Sequence, residues 1–147
     1  MTTPVERAQR VEEVERAQRR WNAGDLPGYL RLYAEDLRFH GVGPVPMDKP
    51  SVTGFYRQLW SAMGAPGLPN PQLRFHEHLV DGDLYCCRFV VSGEHRGDFM
   101  GVPATGRPYV LEGITIMRFR GDQVVERWTT SDFLGLMVQL GAVPAPA

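Results

Sequence analysis

One change of period constrains this chain more than any other feature of its sequence: helical spacing up to residue 63 gives way, after Gly64, to strand and turn. Between residues 5 and 22, Ala8, Val11, Val14, Ala17 and Trp21 recur at intervals of three and four, which puts them on one helical face. Gly24 ends that helix. Asp25 is placed to cap a short second helix, with Pro27 in its first turn and Tyr29, Leu30 and Tyr33 along it. The chain turns extended over residues 37–40. A third helix is expected from Ser51 as N-cap to Met63, burying Phe55, Tyr56, Leu59, Trp60 and Met63.

Pro66, Gly67, Pro69 and Pro71 then form a stiff connector. Four β-rich runs follow, at residues 72–80, 84–95, 108–119 and 124–131, separated by Asp81-Gly82-Asp83, a long loop and Gly121-Asp122. A last amphipathic helix is expected over residues 133–140. Helices first and an antiparallel meander later predict an α+β fold, with helices packed on one face of a curved antiparallel sheet.

Composition fits one globular domain. The 16 Gly and 12 Pro among 147 residues exceed ordinary usage, yet there is no collagen period, and 43% hydrophobic residues with 7 Phe, 5 Tyr and 3 Trp exclude disorder. The whole chain, 1–147, reads as a single domain with a core at about 5–141 and a flexible tail at 142–147. Sixteen Lys and Arg against 17 Asp and Glu give a net charge of −1, which lacks the basic footprint of nucleic-acid binding. Cys86 and Cys87 are adjacent and point to opposite faces of an extended segment, which suits no disulfide, so a reducing, cytoplasmic setting is expected. No apolar run approaches membrane-spanning length, and neither a secretion leader nor a membrane partner is expected.

Few residues carry a chemical signal. His76 and His78 share a strand face but lack a third ligand, so no metal is expected. Nucleophile elbow, P-loop and dinucleotide motifs are absent from the sequence, and Cys86 and Cys87 beside Tyr85 and Phe89 read as strand packing. Glu126, Trp128, Thr130 and Asp132 alternate along one face of the last strand, expected to be the concave one. There, burial would raise the Asp132 carboxyl toward the range of a useful base. Asp132 also directly precedes Phe133-Leu134-Gly135-Leu136, where an aspartate caps a helix, and the two roles are compatible. A two-residue hairpin at Gly121-Asp122 would put Met117 and Thr115 on the Glu126 face; one bulged residue would put Arg118, Ile116 and Glu112 there, making Arg118 an interior partner of Glu126.

Two motifs lead further. His95-x-Gly97-x-Phe99-x-Gly101-x-Pro103-x-Thr105-Gly106 and Glu126-x-Trp128-x-x-x-Asp132, supported by Trp21-Asn22-Ala23-Gly24-Asp25, His40-Gly41 and Gln139-Leu140-Gly141, resemble the SnoaL-like polyketide cyclase (ester cyclase) family. The resemblance implies an NTF2-like cone, a strongly curved sheet and helices enclosing an apolar pocket, often in a dimer. It implies cofactor-independent acid/base catalysis, an intramolecular aldol ring closure of a polyketide ester, with Asp132 as the acid/base at the end of the Trp-containing strand. His95 and His40 are expected as further catalytic hydrogen-bond donors. Trp128, Glu126, Phe99, Arg118, Tyr56 and Trp60 are expected to contact a hydrophobic, polycyclic or polyketide-derived ligand. The expected assembly is a homodimer or homotetramer. Two alternatives stand beside this reading: epoxide opening or hydrolysis, with Arg96 and Asp98 joining Asp132, and non-catalytic binding of a small molecule. Gly and Pro cluster in residues 41–71 and 93–108, as if two loop systems ring the pocket mouth and bring His40 and His95 near Asp132.

Overall fold

The computed structural model describes residues 1–146; the last residue of the expected tail, Ala147, lies outside them. Helix α1 (Pro4–Asn22) starts in a capping box, Thr3 accepting from the Glu6 N–H while the Glu6 side chain accepts from the Thr3 N–H. Helix α2 (Leu26–Leu30) is capped by Asp25, whose carboxylate accepts from the Gly28 N–H. Strand β1 (Tyr33–His40), helix α3 (Lys49–Met63), strands β2 (Gln72–Asp81), β3 (Leu84–Glu94), β4 (Pro108–Arg120) and β5 (Gln123–Ser131), and helix α4 (Phe133–Gln139) follow. Helices thus precede the meander, as the change of period requires.

Three local expectations are corrected. Tyr33 opens β1 instead of continuing the second helix, because the backbone there is taken up by β5, the Val124 N–H donating to the Leu32 carbonyl at 2.7 Å. The cap of α3 is Asp48, which accepts from the Ser51 N–H, so the helix begins three residues before the expected capping serine leaves off as cap. The sheet order is β1-β5-β4-β3-β2, and β1 runs parallel to β5, so only four of its five strands form the expected antiparallel meander. The α+β architecture itself is the expected one, a curved open sheet with helices.

Packing concentrates where the helices meet the sheet. Trp21 of α1 is the hub: its ring meets Tyr29, Tyr56 and Trp60 edge to face at 4.9–5.1 Å between centroids, and its indole N–H donates to the Pro71 carbonyl. Gly113 of β4 leaves the space that Phe89 fills, since a Cβ there would stand 2.4 Å from the phenyl ring. Gly41, at φ +114°, lets the end of β1 press on β5, where a Cβ would stand 1.8 Å from the Thr129 carbonyl oxygen.

Candidate active site

A bulge decides which side chains of β5 face inward. Arg118 pairs with Glu126 but Phe119 with Val124, so Val125 is an extra residue in β5 and the alternation slips by one. Arg127, Thr129 and Ser131 therefore face the helices, followed by Phe133; Glu126, Trp128, Thr130 and Asp132 face away. The bulged register allowed from sequence is the one observed. The concave assignment of the Glu126 row is overturned: Trp128 made that face look interior, whereas the inward row is polar because it lines a cavity.

The cavity lies between the sheet and the helices, walled by Trp21, Phe39, Leu59, Phe89, Phe99 and Leu111 among others. Val42, Phe55, Ser131 and Phe133 are only half-buried and form its mouth. Phe99 enters from the loop between β3 and β4. That loop closes on itself through His95 and residues Gly106 and Arg107, and a turn at Met100 and Gly101, both at positive φ, brings Phe99 and Val102 into a bridge. About 60 Å³ is open to the centres of water-sized molecules, room for a few waters, so a multi-ring ligand requires the mouth to widen.

Arg127 is the only charged residue among the cavity-lining side chains, and it is 4% exposed. Its Nη1 donates to Tyr33 at 2.5 Å and Tyr29 at 3.0 Å and stands 3.4 Å from Tyr56. Its Nε is shared between Thr115 at 2.9 Å and Thr129 at 3.2 Å. The guanidinium sits over the rings of Phe39, Phe75 and Phe89 at 5.3–5.9 Å. No carboxylate pairs with it among the described residues. Burial works against its charge, but the oxygens of Tyr33, Tyr29 and Tyr56 outweigh it and hold the guanidinium well above its usual range. Burial pushes the Tyr33 and Tyr56 hydroxyls up, so both stay protonated. What this arrangement offers chemically is stabilisation of a negative oxygen in an apolar space.

A profile of the SnoaL-like polyketide cyclases matches residues 12–140. The chain belongs to this family. Among solved structures, AclR from Streptomyces galilaeus, a proposed hydroxylase, is 25% identical with a TM-score of 0.81, covering 93% of this chain and 98% of its own. IdmH from Streptomyces antibioticus, a proposed polyketide cyclase, is 29% identical with a TM-score of 0.75, covering 90% of this chain and 99% of its own. TsrD from Streptomyces laurentii is 25% identical with a TM-score of 0.80, covering 93% and 98%. No curated protein sequence matches the chain. Family membership supports a cyclase-type enzymatic function, and no helix among the described residues is long and apolar enough to cross a membrane.

Within this SnoaL-like chain the expected site residues separate. Phe99 and Tyr56 line the cavity. Trp60 packs on Trp21 and leaves its indole N–H buried without a partner among the described residues, outside the lining. Asp132 is exposed and caps α4, its carboxylate accepting from the Gly135 N–H at 2.8 Å. His40 lies on the outer face, bonded to Glu126 at 2.7 Å and stacked on Trp128 with ring planes 4° apart. Arg118 also lies there, over Trp128, but its ion partner is Asp83, not Glu126. His95 is fully buried with Nδ1 accepting from the Thr105 N–H, so it braces the loop, and its Nε2 has no partner among the described residues. The three expected catalytic residues are thus not gathered at one site. Arg96 donates to the carbonyls of Ala65 and Leu68, which ties the loop to the connector instead of completing an Asp-Arg-Asp group. His76 and His78 do not share a face, because Glu77, at φ +60°, bulges β2 and turns His78 toward Tyr85 and Glu15.

The sequence reading gave Arg127 and Thr129 no role, placed Thr115 only as a possible neighbour of Glu126, and took Tyr33 as a helix residue, whereas Tyr29 does lie in the expected short helix. A signal was present: Arg127-x-Thr129-x-Ser131 is a polar row with strand period, in register with the lone arginine that alternates with Trp128.

Proposed function

We propose that this protein is a cofactor-independent cyclase that closes a ring in a polyketide-type carbonyl compound by an aldol-type condensation inside the Arg127 cavity. The new carbon–carbon bond turns a carbonyl oxygen into an alkoxide, and the proton lost from the attacking carbon is matched by the one gained there, so substrate and product are isomers. Arg127 supports this reading most directly, as a buried cation held by hydroxyls in an otherwise apolar chamber. A donor so placed stabilises developing oxyanion charge by about 2.7–4 kcal/mol. The aromatic walls supply the folding of the chain into an attack geometry. In a panel of linear and tricyclic aromatic polyketide esters, without metal or nicotinamide, the expected product has unchanged mass. Addition of water or oxygen, or neither reaction nor binding across the panel, contradicts the proposal.

One observation favours a second version, in which Asp132 removes the proton: it stands between Ser131 and Phe133, both at the cavity mouth. Its carboxylate would have to leave the Gly135 N–H and turn inward. The outer face bears on assembly, since exposed Ile114 and Ile116 lie on the Trp128 side of the sheet and support the expected homodimer or homotetramer, a point that sedimentation measures directly.

A further inference from the structure

The sheet surface holds several arginines with carboxylate partners, among them Arg120 with Asp36 and Arg118 with Asp83, where solvent makes pairing worth little. Arg127, the one arginine buried among the described residues, has none there. A buried cation without a counter-charge is costly, and the groups packed against Arg127 from every neighbouring element are neutral donors and acceptors: Tyr29 of α2, Tyr33 of β1, Tyr56 of α3, and Thr115 and Thr129 of the sheet. Of the nearby thiol and phenol of β3, Cys87 and Tyr85, burial raises both above their ordinary values.

Hydrogen-bond counting then shows what is left over. Tyr29, Tyr33 and Tyr56 form one chain of hydroxyls, with Tyr33 bonded to Tyr29 at 3.1 Å and to Tyr56 at 2.5 Å. Three hydroxyl protons serve two inter-tyrosine bonds, so one proton remains, at Tyr29 or Tyr56, and both line the cavity. Nη2 of Arg127 makes no hydrogen bond among the described residues, in contrast to Nη1 and Nε. The chamber therefore presents donors and a positive charge, while no His, Asp, Glu, Lys or Cys is among its lining residues.

From this we infer that the cavity binds its ligand as an anion, an aromatic or enolic ring compound whose ionised oxygen, a phenolate or the enolate of a 1,3-dicarbonyl, sits on Arg127 Nη2 and the free tyrosine proton. The inference rests on the ring-closing reading and deepens it. A substrate that enters as its enolate has already lost the proton that an aldol closure requires, which accounts for a chamber without a base. Its carbon attacks the carbonyl, the enolate electron pair becomes the new bond, and the resulting alkoxide takes a proton from the tyrosine chain, which water refills.

The test uses 4-nitrophenol, a single-ring probe visibly coloured only as its anion, with nitrobenzene as the neutral counterpart. Titrated spectroscopically while bound to the full-length protein, 4-nitrophenol is expected to ionise at least one pH unit below its free value, equivalent to at least tenfold tighter binding of the anion. Apparent affinity then rises as pH increases through the free ligand's ionisation, and nitrobenzene binds at least tenfold more weakly than the anion. Arg127→Met abolishes the shift and Arg127→Lys retains part of it. The wild-type titration stands alone if either variant fails to fold. A bound ionisation at or above the free value, no saturable binding, or a shift that survives in Arg127→Met overturns the inference. The two readings fail separately: an anion site with no isomerised ester discards ring closure alone, and ester cyclisation with an unshifted 4-nitrophenol discards the anion site alone.

Discussion

The two faces of β5 carry side chains one residue apart and treat their polar groups in opposite ways. On the outer face Glu126 is bonded to His40 and Asp132 to the Gly135 N–H, and Arg118 nearby is paired with Asp83. Each is satisfied by a neighbour, and each sits where water can also serve it. On the inner face Arg127 holds a full charge in an apolar chamber, with hydroxyls as its hydrogen-bond partners and phenyl rings beside it. The satisfied row stabilises the fold; the row with an unmet charge is where a ligand changes the energy most. The proposed placement of the chemistry rests on that contrast.

The largest test of the contrast is Arg127→Met. Turnover is expected to fall by about 100- to 1000-fold, the usual loss of an oxyanion donor. Thermal stability is expected to change little, because losing the hydrogen bonds to Thr115, Thr129, Tyr29 and Tyr33 is offset by removing a charge from an apolar space. A melting temperature that falls by several degrees would show that Arg127 is structural. Tyr56→Phe comes next: it removes one hydroxyl of the chain, and about tenfold lower turnover is expected from a lost hydrogen bond of this kind.

Alkaline titration separates the faces in another way. Burial raises Tyr33, Tyr56, Tyr85 and Tyr109 above the ordinary tyrosine value. The unfolded chain ionises these groups near pH 10 while the folded chain does not, so the stability they contribute is complete below about pH 10 and is lost as pH rises beyond it. Absorbance of tyrosinate should therefore appear together with loss of near-ultraviolet circular dichroism. Early, gradual ionisation of these tyrosines contradicts the dry inner face.

On the outer face the effects are smaller. Asp132→Ala should cost about 1 kcal/mol through loss of the α4 cap, whereas Asp132→Asn keeps the cap and the stability. Thermal melts of the two variants distinguish capping from charge. His40→Gln, at a partly exposed hydrogen bond with Glu126, should change unfolding free energy by less than about 1 kcal/mol in urea titrations.

Much of the fold was legible because its signals are local. The Ala8 to Trp21 stripe, the Asp25 cap and the Gly121-Asp122 turn each depend on neighbouring residues, and each holds. What escaped depends on pairing at a distance. Tyr33 enters a strand because β5 is there to receive it, and Val125 bulges because β4 sets the register, which inverts the faces of every residue after it. The two faces of β5 were exchanged for the same reason. Trp128 is the one aromatic residue of its strand and looked interior, but it is covered by His40 and Arg118, while the cavity side is lined by Arg127, Thr129 and Ser131. Alternation shows that a strand has two faces; it does not say which one is buried when the buried face is polar.

Turnover of a single isomerised polyketide ester, measured side by side for Arg127→Met and Asp132→Asn, tests the central claim most directly. The inner-face account predicts that Arg127→Met loses at least 100-fold, in keeping with about 2.7 kcal/mol or more of oxyanion stabilisation, while Asp132→Asn stays within a few-fold of wild type. The reverse order, with Asp132→Asn inactive at unchanged stability and Arg127→Met active, contradicts it.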